Sequence, residues 1–420
     1  MFDLDDWQEI WNALSHNKLR TLLTAFGVFW GIFMLVIMLG SGNGLRNGVD
    51  ADFTSGATNS VFIWPQRTSM PFRGLPEGRR FNFDNDDTAA VIAAIPNASI
   101  VAPRAQLGGW RGAHNVTRGN KAGAFDVMGD VPENFRIQPV KLVAGRLLNP
   151  LDVAERRKVA VIGERVRDLL FEADEPVIGG SIQVQGVYFK VVGVFASLQD
   201  GEDGQRSTQT LFIPISTFQR AFNWGNLISW LAITSRDDVP ASQVEAEVKA
   251  LLAERHRIHP NDRWAMGSFN LEEEYNQVRG LFAGIRVLVW IVGAGTLAAG
   301  VIGVSNILLI LVKERTKEIG LRRAIGASPF AVIRQILLEA LALTSLAGYC
   351  GLVAGIGVLE LVRQILVNTD GNGGMFRNPG VDLQTAAIAL LILVFAGTFA
   401  GLIPARRAVA VRPVAALRSD

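Results

Sequence analysis

"TLLTAFGVFWGIFMLVIML", residues 21 to 39, lies within an uncharged stretch between Arg20 and Arg46. As a helix rising about 1.5 Å per residue, it is long enough to cross roughly 30 Å of hydrocarbon. A cleaved signal peptide would have a shorter apolar core and a small-residue cleavage pattern, and the following "GSGNGLRNGVD" (40 to 50) has no A-x-A. The segment therefore reads as an anchor. Gly40, Gly42 and Gly44 lack the G-x-G-x-x-G spacing of a dinucleotide loop and are expected to be flexible backbone at the membrane exit.

Three further uncharged windows lie downstream, at 287 to 312, 340 to 359 and 383 to 405. Four such windows are implausible as buried helices of one soluble core, and 49% hydrophobic against 19% charged residues agrees. A net charge of +2 gives no nucleic-acid surface. Cys350 is the only cysteine, so neither an internal disulfide nor a thiolate metal cluster can form; it reads as a thiol in a packed or lipid-facing helix.

Short loops set the direction of insertion, because Lys and Arg are retained inside. Lys18 and Arg20 precede span 1; Lys313, Arg315, Lys317, Arg322, Arg323 and Arg334 follow span 2; Arg406, Arg407, Arg412 and Arg418 follow span 4. Between spans 3 and 4 there are only Arg363 and Arg377. Both termini and the 313 to 333 loop are expected in the cytoplasm. The expected class is a membrane protein with four transmembrane α-helices plus a large extracytoplasmic α/β domain inserted between spans 1 and 2. Its segments are an amphipathic helix at 1–20, span 1 at 21–43, the outer domain at 44–275, and a stalk with span 2 at 276–312. A cytoplasmic loop at 313–333, span 3 at 334–362, a short outer loop at 363–382, span 4 at 383–405 and a tail at 406–420 complete the chain. In the first segment Leu4, Trp7, Ile10, Trp11 and Leu14 share a helical face suited to the bilayer surface.

Within the outer domain, strands are expected at 60–64, 158–163, 181–186, 188–196, 210–215 and 229–235, with a hairpin around Gly186. Helices are expected at 85–95 behind Asp84 or Asn85, and at 163–171, 216–222 and 240–257. Two subdomains follow, one from about 44–110 and 210–275, the other inserted at about 111–209. No proline interrupts 270 to 317, so one long helix should run through span 2, with Glu272, Glu273 and Glu274 on a solvated face.

Catalytic signatures are missing. No lysine follows a glycine, which excludes a P-loop, and there is no G-x-S-x-G. His256 and His259 lack the H-E-x-x-H context and read as a surface pair, so no metal site and no enzyme activity are expected. Span centres carry no Asp, Glu, Lys or Arg, which disfavours a conventional polar pore; Arg286 and Glu339, near span ends, read as snorkelling or paired.

The loop "KERTKEIGLRRAIGASPFAV" (313 to 332) mixes both signs of charge around Ile319, Leu321, Ala324 and Ile325. Glutamates contribute nothing to headgroup binding, so this stretch suits a protein surface better than a lipid one. "ERTKEIGLRRAIGAS" with "IRQILLEALALTSLAG", the first span, the tail "AGLIPARRAVAVRPVAALR" and the outer segment "VAVIGERVRDLLFEADEPVIGGSIQVQGVYFKVVGVF" resemble the MacB/FtsX-type ABC transporter permease family, in order and over nearly the whole chain.

The resemblance implies that the loop carries a coupling helix that docks on an ATPase, with Glu314, Arg315, Glu318, Ile319, Leu321, Arg322, Arg323, Ile325 and Gly326 as its docking element. MacB-like members carry a fused N-terminal ATPase, whereas some 20 residues precede span 1 here. The expectation is therefore a separate ABC ATPase subunit that binds the ATP and magnesium, with no cofactor in this chain. It extends to a second permease copy or paralogue, a periplasmic adaptor, an outer-membrane channel, and a place in the bacterial inner membrane. Gly293, Gly295, Gly300, Gly303, Gly351 and Gly355 would serve either that pairing or packing within one subunit. Efflux of a hydrophobic or peptide-like substrate is the leading outcome; lipoprotein extraction and regulation of a partner such as a cell-wall hydrolase are the alternatives.

Overall fold

The computed structural model describes residues 18–54, 56–108, 112–172, 174–199, 201–368, 376–381 and 383–410. The amphipathic face expected before residue 18, and Arg412 and Arg418, lie outside these. Two compact units emerge, one from residues 50–280 and one from 1–49 with 281–420.

Among the described residues, the membrane unit contains four helices long and apolar enough to span: α1 (Lys18–Thr54), α9 (Leu271–Glu314), α11 (Pro329–Asn368) and α12 (Leu383–Ala410). The short α10 (Thr316–Ala324) joins the second to the third. In hydrocarbon a helix satisfies every backbone donor internally, so these sequences have no alternative as spans. Cys350 is exposed on α11.

Glycine sets how closely the spans approach. A Cβ on Gly300 would sit 3.2 Å from the Gly27 carbonyl oxygen, one on Gly351 2.5 Å from the Phe29 carbonyl oxygen, and one on Gly355 2.8 Å from Val36. Gly293 packs on Leu35, while a Cβ on Gly295 or Gly303 would meet nothing within 4 Å among the described residues. Of the six glycines the sequence left open between two roles, four are thus used inside the chain. The Gly40 to Gly44 run, expected to be flexible, is helical within α1. A Cβ at Gly40 would strike the Leu359 side chain and one at Gly44 would sit 3.0 Å from Phe376 and Pro379, so closeness rather than flexibility explains these glycines.

In the other unit, β1 (Ser60–Pro65), β3 (Ala98–Gln106), β12 (Trp230–Ser235) and β13 (Met266–Asn270) form an antiparallel sheet in the order β3-β12-β1-β13. Helix α2 (Asn85–Ala94) links β1 to β3 and α8 (Ala241–Arg255) links β12 to β13. This is the ferredoxin-like βαββαβ arrangement with a long insertion between its second and third strands. The inserted strands are β4 (His114–Arg118), β5 (Lys121–Asp130), β6 (Lys141–Gly145), β7 (Val159–Gly163), β8 (Ser181–Val184), β9 (Val187–Ala196) and β10 (Thr210–Pro214). Pairings β5–β10–β7–β9–β8–β4–β5 close into a six-strand circuit. A closed circuit leaves no row of unpaired backbone groups along its strands. β10, which its sequence position placed with the outer segment, belongs to this circuit. Short helices α3 (Asn134–Ile137), α4 (Pro150–Ala154), α5 (Glu164–Leu170), α6 (Gly201–Ser207) and α7 (Ile215–Ala221) decorate it, and β2 (Phe83–Asp84) pairs with β11 (Leu227–Ile228).

Alternation decides what the circuit buries. Ile182, Val184, Phe189 and Val191 of the β8–β9 hairpin all point into the core, and Gln185 and Gly186 make its tight turn at φ +45° and +85°. Asp84 caps α2 reciprocally with Asp87. Asp87 also accepts from Arg255 Nε at 2.7 Å and contacts His256 Nε2 at 2.7 Å, tying the start of α2 to the end of α8. His259 instead packs edge-on against Phe72, so the two histidines serve different contacts. Glu272 is not on a solvated face: its carboxylate accepts from the Ala241 amide and caps α8, a helix start that Pro240 leaves without a side-chain cap.

Burial pushes the Asp87 carboxyl upward, but bonds from His256, Arg255 and the Asp84 amide outweigh it and hold it below the ordinary value. A depressed folded pKa stabilises above the unfolded pKa, about 3.9, and that stability disappears as pH falls through the folded value. Melting of the full chain in detergent from pH 6 to pH 3 should therefore decline less steeply for Asp87→Asn than for wild type; equal slopes would show that this clamp does not govern acid sensitivity.

Candidate functional site

The loop between the second and third spans is ordered by its own backbone. Thr316 Oγ1 donates to the carbonyls of Val312 at 3.0 Å and Lys313 at 2.8 Å, satisfying oxygens left over at the end of α9. At the other end, the Gly326 amide donates to Arg323 O at 3.2 Å and the Ala327 amide to Arg322 O at 3.0 Å. That is a Schellman stop, and Gly326 at φ +109° is the residue that can make it.

Side chains of α10 then divide into two sets. Inward, Ile319 packs against Val312, Val332, Ile336, Ala405 and Ala408, and Gly320 is buried. Arg315 Nη1 lies 3.9 Å from the carboxylate of Glu339, itself buried in α11, so Glu339 is paired. Arg322 Nη1 donates to Gln335 at 3.3 Å, and Arg323 Nη1 donates to the Val409 carbonyl at 2.7 Å. These three arginines, which the family resemblance grouped with the docking element, brace the loop against α11 and α12.

Outward, Glu314, Lys317 and Glu318 are exposed, with Leu321 50% and Ile325 78% exposed beside them. Positions 318, 321 and 325 recur at helical spacing and so share one face of α10, while Glu314 ends α9 just before it. Glu318 accepts from Arg322 Nη2 at 2.8 Å, an i,i+4 pair that keeps the carboxylate oriented. Phe330 at the start of α11 is 73% exposed, and sequence reasoning missed it. The available signal was a large aromatic directly after the helix-stopping "GASP". A surface with exposed apolar groups rimmed by both signs of charge, on a helix braced from behind, can receive a protein and pass force to the spans.

Such a bundle, with its inserted α/β domain, defines a multi-pass membrane protein. Residues 21–251 match the MacB-like periplasmic core domain, and residues 290–413 match the FtsX-like permease C-terminal domain. The chain belongs to the MacB/FtsX-type ABC transporter permease family. It is 28% identical over 410 residues to the macrolide export ATP-binding/permease protein MacB of Bdellovibrio bacteriovorus, an alignment covering 97% of this chain and 60% of that protein. To the pyoverdine export ATP-binding/permease protein PvdT of Pseudomonas putida it is 29% identical over 420 residues, covering 99% and 60%. The chain thus spans about 60% of the length of these relatives. The crystal structure of the periplasmic region of MacB from Actinobacillus actinomycetemcomitans aligns with a TM-score of 0.43 at 20% identity, covering 54% of this chain and 96% of that one.

Proposed function

We propose that this chain is the permease subunit of an ABC transporter that passes ATP-driven motion from an ATPase subunit at α10 to the α/β domain on the opposite side of the membrane, for efflux of hydrophobic or peptide-like substrates. The observation that carries the proposal is the outward face of α10, where Leu321 and Ile325 stand exposed between acidic and basic side chains while Arg315, Arg322 and Arg323 are held by the third and fourth spans.

Sidedness follows from the same loop. Its cations and the sparse positive charge between spans 3 and 4, where Arg363 is paired with Glu360 at 2.7 Å, support a cytoplasmic loop and an inner membrane in which the α/β domain faces the periplasm. ATP and magnesium would bind to the ATPase, because residues 1 to 420 carry no P-loop of their own. Export is favoured by the names of MacB and PvdT, both export proteins. A second permease copy, a periplasmic adaptor and an outer-membrane channel would complete the assembly.

The test is Leu321→Asp with Ile325→Asp. Both side chains are exposed, so the variant should insert and melt as wild type, yet lose co-purification of the ATPase and at least tenfold of its ATP turnover, while Glu314→Lys with Glu318→Lys should uncouple turnover as well. Wild-type co-purification in both variants would show that the ATPase docks elsewhere. Purification from the native membrane separates the outcomes, because an adaptor among the partners supports efflux, whereas a hydrolase, or lipoproteins without an adaptor, would replace it with regulation or extraction.

A further inference from the structure

A hairpin at residues 66 to 80 belongs to the ferredoxin-like half of the α/β domain and carries arginines that pair with no carboxylate among the described residues. Phe72 and Leu75 exchange both backbone hydrogen bonds, at 2.9 and 3.0 Å, around a two-residue tip of Arg73 and Gly74. Both tip residues have positive φ, +48° and +81°. Asn or Gly normally occupies the first tip position; an arginine there is strained, and strain of this kind gathers at functional sites.

Below the tip, Arg67 and Arg80 are directly bridged across the two strands. Like charges facing each other across strands destabilise the pairing. Both are exposed, as are Arg73, Arg257 and Arg263. Among the described residues no carboxylate pairs with any of these five, although Glu77 lies in the same hairpin. Trp264 beside them is 75% exposed and Met70 39% exposed.

The hairpin is nevertheless held firmly. Asp262 accepts from the Ser69 amide and hydroxyl, the Met70 amide and the Trp264 amide at 2.6 to 3.2 Å, and Arg79 donates to the His256 carbonyl at 2.6 Å. Thr68 and Arg79 face the protein, so Arg67 and Arg80, their neighbours along each strand, project from the other face.

We propose that this arginine hairpin is a docking surface for a carboxylate-rich face of a partner protein. Residue composition favours a protein over a lipid surface. The cations are all arginine, with no lysine in 66 to 80 or 256 to 264, and the planar guanidinium grips a carboxylate in a two-point fork. Trp, Met and Arg are the residue types enriched in protein interfaces, from which Lys is depleted. The hairpin is also rigid before binding, which lowers the entropy lost on docking. The surface lies in the α/β unit and is independent of the ATPase-docking reading.

The test uses the full chain in neutral phosphatidylcholine nanodiscs with fluorescein-labelled octaglutamate as the probe. Wild type should bind in a salt-sensitive way, and Arg67→Gln with Arg80→Gln should weaken binding at least tenfold without lowering the melting temperature, since it relieves a repulsion. Arg165→Gln with Arg220→Gln, exposed arginines elsewhere in the same unit, should leave binding within twofold. Equal loss in the two pairs would overturn the proposal in favour of general charge attraction, and a fall in melting temperature for the hairpin pair would show those arginines serve the fold. Hairpin-dependent flotation with phosphatidylglycerol vesicles exceeding the octaglutamate response would make the surface a lipid contact instead.

Discussion

Asp130→Ala should destabilise the α/β unit by about 3 to 5 kcal/mol, the usual cost of stranding one member of a buried ion pair. Asp130 is fully buried and accepts from Arg104 Nε at 3.0 Å and Nη2 at 2.7 Å, from Asn134 Nδ2 and from the Val131 amide. Burial pushes its carboxyl above the ordinary value, against the pull of the Arg104 charge and of those bonds. Removing it leaves a guanidinium 9% exposed with no counter-charge. Arg104 sits on β3, which pairs with both β12 and β5, so the loss falls where the sheet meets the inserted circuit. The full chain in detergent should melt roughly 10 °C lower, at about 2 to 4 °C per kcal/mol for a unit of this size. Replacing both partners, Arg104→Met with Asp130→Leu, should recover much of the loss, because no charge is then buried alone. A drop of less than 2 °C for the single variant would show that water reaches the pair.

Gly351→Leu should abolish recovery of folded protein from the membrane. Even the first carbon of the new side chain would lie 2.5 Å from the Phe29 carbonyl oxygen, which is backbone and cannot rotate aside. Overpacking a core typically costs about 1 to 3 kcal/mol, and more when only backbone movement relieves it. Gly351→Ala should be intermediate, and Gly357→Leu, at a position where an added Cβ meets nothing within 4 Å among the described residues, should behave as wild type. Monodisperse elution of Gly351→Leu at wild-type yield would mean that spans 1 and 3 are not in contact there.

Local signals made part of this molecule legible in advance. Four uncharged windows were readable because hydrocarbon demands length and apolarity and little else, and the β8–β9 hairpin because apolar alternation flanks a Gln-Gly turn. β3 was missed because "ASIVAPRAQ" carries a proline, and β5 because Gly123 and Gly129 dilute "KAGAFDVMGD". Closure of the circuit is a long-range fact, since Thr210 pairs with Asp126, and no local pattern encodes it. The loop between the second and third spans divides the same way. Its charge mixture is visible in sequence, but which arginines turn inward depends on Gln335, Glu339 and Val409, far along the chain. Family resemblance supplied the grouping of those residues, and geometry separated the braces from the exposed face.

The long insertion leaves the sheet from β3 and returns at β12, two strands that lie side by side with Arg104 opposite Trp230. Its two ends are therefore neighbours, and a tight turn could replace everything between them while leaving a hairpin of the parent sheet intact. Architecture of this kind makes the circuit an exchangeable graft: evolution can enlarge, trim or substitute it, and so change what the permease meets, without redrawing the scaffold that carries it.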